Sequence, residues 1–327
     1  MKTIFVPHLN RNVHLGGRQP RKPGGLRLHF SDFIDHAALA PQIPAAADFF
    51  PKGGTAISDV LGNDAEGDCI YAGGYHVVAV ETGNATGTPF HATLAQVNHD
   101  YSAVTGFVPG VPSTDNGGQM TDALDYWKKN GFANGTKLLG YLSVNPKDPV
   151  ALRAACFLGE NLYLGGGLPD SYVAPFPSGN GFTWGAGTPN PNNGHCIMSA
   201  KFGPDGLGID TWGMTGTLTY EGVAEVFDEV YVLITPDQLA KGQTKAPNGV
   251  AWNDILQAFG LPVPVPAPTP APAPAPVPPG QVQMTLPLAI AQLFAIDKLN
   301  AAPCGAFAKA DAIKLVGDSL AMHWAKK

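Results

Sequence analysis

Residues 70–80 carry a dense apolar run, Ile-Tyr-Ala-Gly-Gly-Tyr-His-Val-Val-Ala-Val. A run with no polar face predicts a helix buried on every side, which we place over residues 69–82. The spacing of Met120, Leu124 and Trp127, closed by Gly131, predicts an amphipathic helix over 121–130. Residues 141–144 read as a strand, and 149–158 as a helix capped by Asp148. Residues 195–202 and 207–212 read as two strands joined by the turn Gly203-Pro204-Asp205-Gly206. Residues 224–234 end in a strongly β-prone run, and 26–30 alternate like a short strand. Helices first and strands later is an α+β pattern, with a site expected between the two halves.

Both ends of the chain depart from this pattern. Residues 1–30 hold Lys2, Arg11, Arg18, Arg21, Lys22 and Arg27 with no acidic residue, interrupted by glycines and prolines. Two readings follow: a basic arm for an anionic partner surface, or a solvated extension laid over the acidic body, which the composition favours. Residues 262–279 alternate proline with alanine or valine; at about 3.1 Å per residue this makes a semi-rigid spacer of roughly 50 Å. Beyond Gly280, residues 288–296 and 307–324 read as two helices broken at Pro303-Cys304-Gly305. Such a unit is too small to bury its apolar face alone, so it is expected to dock on a copy of itself, the main domain or a partner. The expected division is an arm over 1–43, a main domain over 44–260, a linker over 261–280 and a docking module over 281–327.

Composition narrows the function. The 327 residues include 40 glycines and 31 prolines but only 14% charged residues, favouring turn-rich structure. A net charge of −6 argues against general nucleic-acid binding. No apolar run has the length of a membrane span, and the N-terminus lacks the apolar core of a signal peptide. We therefore expect a protein of the cytoplasm or packaged in a particle. The four cysteines show no zinc-knuckle spacing, so free thiols are expected rather than disulfides or a metal site. His29, Asp32, Asp35 and His36 have a spacing that could ligate a metal, but a solvated turn explains them better. No cofactor is expected.

Cys69 opens the apolar helix, and Gly194-His195 and Asp210-Thr211-Trp212-Gly213 follow far downstream. A thiol, an imidazole and a carboxylate in that order suit nucleophilic cysteine chemistry, and a helix N-terminus favours thiolate. Asn63 stands six residues before Cys69, Pro44 stands four residues before Asp48, and Asn116-Gly117-Gly118 lies between the two halves. On these segments, over residues 44–237, the chain resembles the papain-like cysteine peptidases. The resemblance implies a helical half with the cysteine and a β half with the histidine. It also implies Cys69, His195 and Asp210 as a triad, Asn63 as oxyanion donor, Asn116, Gly117 and Gly118 as substrate cleft, and Trp212 as a shield over the histidine contact.

Several residues differ from the family pattern. Asn63 is shorter than the family's glutamine, Asp210 replaces asparagine, and Ile70 replaces tryptophan. Glu66 and Asp115 stand where many secreted members pair cysteines. Asp68 brings a negative charge beside the thiol and should raise its pKa. His76 is expected to pack on its helix, and Cys196 to point away from His195. The leading expectation is a hydrolase of peptide or isopeptide bonds acting on a peptide or protein substrate. The same residues would serve an amidase or a transglutaminase-like crosslinker. An alternative is a structural component of a larger assembly, such as a bacteriophage particle, docked through the arm and the C-terminal helices.

Overall fold

The computed structural model describes residues 2–22, 29–33 and 36–236. The expected spacer and two-helix module lie outside the described residues. The strands are β1 (Lys2–Val6), β2 (Arg11–Leu15), β3 (Ala47–Asp48), β4 (Gly140–Ser143), β5 (Leu162–Gly167), β6 (Phe182–Trp184), β7 (Gly194–Gly203), β8 (Gly206–Thr211), β9 (Met214–Leu218) and β10 (Phe227–Ile234). The helices are α1 (Phe30–Phe33), α2 (His36–Leu39), α3 (Phe50–Gly53), α4 (Cys69–Thr86), α5 (Leu94–Thr105), α6 (Met120–Asn130), α7 (Pro149–Gly159), α8 (Asp170–Val173) and α9 (Tyr220–Val226). The α+β expectation holds: helices α4 to α6 make one half, and an eight-stranded sheet in the order β4-β10-β5-β7-β8-β9-β6, with β3 on β7, makes the other.

The apolar run becomes α4, and burial extends without a break from Cys69 to Glu81. Several of its buried polar groups have partners on other elements. Tyr75 donates to Asp100 of α5 at 2.7 Å, and Asp100 also accepts the Ala133 amide. Glu81 accepts from Asn161 Nδ2 at 2.8 Å and from Thr235. Gly87, at φ 79°, closes the helix with its N–H on the Gly83 carbonyl. Asp148 caps α7 as expected, accepting the Val150 and Ala151 amides at 3.0 Å. Trp127 and Phe132 stack at 4.0 Å and fill the space between α4 and α6.

One feature differs from the expectations. Residues 2–15 form a β-hairpin rather than a solvated extension, with Ile4, Val6, Val13 and Leu15 turned inward at the period of a strand. The charges of the segment meet acidic residues of the body: Lys2 pairs with Asp170, Arg11 with Asp64 and Lys22 with Asp122. Of the short strand expected over 26–30, residues 26–28 lie outside the described residues; His29 makes a β-bridge to Ser143 and Phe30 opens α1. His36 bonds Asp148 at 2.9 Å, and among the described residues no group of three or more His, Cys, Asp or Glu side chains could hold a metal. No helix there is long and apolar enough to cross a membrane.

Asn161 ties α4, the end of α7 and β10 together: its side chain bonds Glu81, the Gly159 carbonyl and both backbone groups of Leu233. Asn161→Ala should therefore cost about 3 kcal/mol, because buried polar groups lose their partner at one stroke. Urea unfolding of the two proteins measures this; a loss under about 1 kcal/mol would show that Asn161 does not hold the two halves together.

Candidate active site

Cys69, His195, Asn63, Asp210 and Trp212 line one small pocket, with Ala72, His76, Cys196 and Thr211 also in its wall. The cavity lies where the start of α4 meets β7 and the turn after β8. Cys69 comes from the first turn of α4. His195 stacks on Trp212 with ring centroids 4.0 Å apart and planes 10° apart. Trp212 takes φ 46° and Gly213 φ 74°, the two positive-φ positions of a tight hairpin turn. The Trp212 indole N–H donates to the Asn63 carbonyl at 2.9 Å, fixing the turn to the loop before the cysteine.

The third member differs from the expected one. His195 Nε2 lies 2.9 Å from Thr211 Oγ1, whereas Asp210 Oδ2 lies 2.5 Å from His76 Nδ1. The cause is register. Met198 pairs with Asp210 across the β7–β8 ladder, so Asp210 shares the sheet face of Met198 and Cys196, which packs on α4. The next residue, Thr211, falls on the face of His195. Asp210 thus meets His76 on α4, whose Nε2 bonds the Asp59 carbonyl at 2.8 Å. His76, expected to be a packing residue, is one half of a buried ion pair.

Burial governs the protonation states. The Cys69 thiol is pushed up to about 12 by burial first, with the Asp68 charge a smaller cause in the same direction. The His195 imidazole is pulled down to about 3, again by burial. Asp68 is itself raised well above the carboxylate range by burial and by Glu66 and Asp115. A rise of the thiol from 9.0 to about 12 corresponds to roughly 4 kcal/mol against thiolate. The helix dipole offers about 1 kcal/mol in its favour. Thiol and imidazole are both neutral in this state.

The chain's own N-terminal segment runs across this site. The Gly118 amide donates to the Gly17 carbonyl at 2.8 Å, and the Gln19 amide donates to the Gly118 carbonyl at 2.8 Å, a parallel bridge. On the opposite wall the Gly194 carbonyl accepts from Gly16 and Arg18. A side chain on Gly17 would meet the Gly67 carbonyl at 2.7 Å, and one on Gly117, at φ 68°, would meet Gly17 at 2.3 Å. The passage admits backbone and little else. Gly117 and Gly118 therefore line a cleft that is already filled, and the exposed Asn116 offers its carbonyl to Gln19 Nε2. Cys69 and His195 are each 1% exposed beneath this segment.

Nearby, Asp115 accepts the Gly67 amide and the Tyr101 hydroxyl, a noncovalent link between the loops that Glu66 and Asp115 occupy. Cys69, Cys156 and Cys196 are free and buried. Sequence reasoning missed Thr211 and His76. Thr211 was visible only as the neighbour of Asp210, and only strand register distinguishes the two.

No protein-family model matches this chain, and no curated protein matches it. Solved structures do. Xylellain, a cysteine protease from Xylella fastidiosa, is similar over 69% of this chain and 98% of its own, at TM-score 0.53 and 15% identity. The ragweed allergen Amb a 11 cysteine protease, in its proform, covers 65% of this chain and 71% of its own at TM-score 0.47 and 18% identity. A procathepsin B from Trypanosoma congolense covers 68% and 86% at TM-score 0.48 and 11% identity. With a helical half that presents Cys69 and a sheet half that presents His195, the chain has the fold of the papain-like cysteine proteases.

Proposed function

We propose that the protein is a cysteine hydrolase of peptide or isopeptide bonds, with Cys69 as nucleophile and His195 as general base. The observation that carries this reading is a thiol and an imidazole lining one cavity, beneath a cleft that already holds an extended polypeptide by its backbone. With Nε2–H donated to Thr211, Nδ1 of His195 is free to take the thiol proton. The thiolate adds to the carbonyl carbon, and the electron pair moves to oxygen. The Cys69 amide and the Asn63 side chain would meet that oxyanion, where losing one donor costs about a hundredfold in rate. Collapse breaks the C–N bond as His195 returns the proton to the amine; water then releases the acyl group from sulfur. Thr211 takes the positioning role first assigned to Asp210, while Asp210 and His76 hold α4 to β8.

The neutral, covered pair has to be uncovered before turnover. The same cover favours a second reading, a scaffold in a larger assembly that keeps the fold without the chemistry, with the arm and residues 281–327 as docking elements. Thiol reactivity decides between them. Gly17→Val cannot keep the segment against Gly67, so a peptidyl epoxide should modify its Cys69 at least about tenfold faster than in the wild type. Adding His195→Ala to that variant should abolish the gain. Equal, slow labelling of Cys69, Cys156, Cys196 and Cys304 in all three proteins would refute the hydrolase and leave the scaffold.

Burial of neutral His195 also sets a pH dependence. Its folded value of about 3 lies below the usual 6.5, so its contribution is complete above pH 6.5 and is lost as the pH falls towards 3. The loss should reach about 1.4 kcal/mol per pH unit. Urea unfolding from pH 7 to 4 should show a steeper decline for the wild type than for His195→Gln; parallel declines would reject burial of the neutral ring as the cause.

A further inference from the structure

The loop before Cys69, Asp64-Ala65-Glu66-Gly67-Asp68, carries a carboxylate at every second residue, and the fold treats the three differently. Asp64 pairs with Arg11 at 2.6 Å. Asp68 stands at the N-cap of α4 with no exposure to solvent, yet its side chain caps no amide. Neither of its carboxylate oxygens has a hydrogen-bond partner. Glu66 Oε2 and Asn98 Oδ1 are likewise buried and unmatched, and Asn98 Nδ2 lies 3.4 Å from Glu66 Oε1. Two of these oxygens converge. Around the point where a Cβ on Gly62 would sit, Asp68 Oδ2 stands 3.0 Å away and Glu66 Oε2 3.4 Å. Gly62, at φ 93°, puts no carbon between them.

The neighbouring charges do not relieve this pair. Asp64 and Asp115 add repulsion, and the cations close to them are already engaged: Arg11 with Asp64, and His14 at 3.8 Å from Asp115. Buried carboxylate oxygens without donors or a counter-charge are costly, so a missing cation is the direct physical remedy. We propose that Glu66, Asp68 and Asn98 form a calcium site that closes the loop immediately before Cys69. An all-oxygen donor set suits a hard cation and disfavours metals that prefer thiolate or imidazole. Because Asp68 is shut off from solvent, calcium is favoured over magnesium, which gives up its water shell reluctantly. Only two carboxylates take part, so the Asn98 oxygen is needed, and water reaching the partly exposed Glu66 fills the remaining positions. The site stands whether or not Cys69 is a nucleophile. If it is, a bound cation offsets the Asp68 charge that opposes its thiolate.

Calorimetric titration of the chelator-stripped full chain with calcium chloride tests this. One calcium per chain should bind with a Kd below about 1 mM, and magnesium should bind at least about tenfold more weakly. Glu66→Gln and Asp68→Asn should each weaken calcium binding at least about tenfold, since affinity follows the charge count of the ligands. Urea unfolding separates a ligand from a packing role. Calcium should raise the midpoint of the wild type and leave both variants unmoved. In EDTA, Glu66→Gln, at a partly exposed position, should match or exceed the wild-type midpoint, because it removes repulsion from Asp68. No heat of binding up to about 10 mM calcium, ten times the weakest ordinary site, overturns the proposal. So does binding that neither substitution weakens, a wild-type midpoint that calcium does not move, or magnesium binding as tight as calcium.

Discussion

From Cys69 to Glu81, helix α4 has no face towards water, and that constraint organises the molecule. A helix apolar on every side cannot sit at a surface, so other elements must enclose it: α5 and α6 on one side, β7 and its neighbours on the other. Enclosure leaves its polar groups little solvent, and three are met from different elements: Tyr75 by Asp100, His76 by Asp210, Glu81 by Asn161. These contacts fix the position of the helix along its axis, and hence of its first residue, Cys69. The thiol is placed by the packing of the whole helix rather than by its own surroundings.

Long, strongly patterned segments were legible from the sequence. The apolar run became α4, the Met120-Leu124-Trp127 spacing became α6, and the strands around Gly203-Pro204-Asp205-Gly206 became β7 and β8. Helix α5 went unread although its Thr93–Gln96 capping box was available. Strand β5 carries three glycines in a row, a composition that argues against a strand; it holds its place because β10 and β7 pair with it on both sides. The hairpin β1–β2 was hidden because its charges outweighed its inward alternation of Ile4, Val6, Val13 and Leu15. At the site, residue types were readable but strand register was not. A shift of one residue separates the partner of His195 from the partner of His76, and nothing local specifies it.

The electrostatics of the site follow from coverage more than from the residues themselves. A thiol at a helix N-terminus should lean towards thiolate, yet under a lid of backbone the loss of water outweighs the dipole several times over. Trp212 adds to this by stacking on His195. Thiol and imidazole are both held neutral by this burial.

The N-terminal segment and the cleft it fills are parts of one polypeptide. The occupant is therefore present at an effective concentration set by chain geometry, of the order of millimolar for short tethers, and independent of how much protein is present. Dilution does not empty the cleft. Any free peptide must compete with this fixed internal concentration, so its apparent affinity for the intact chain is discounted by the same factor in a test tube and in a crowded compartment.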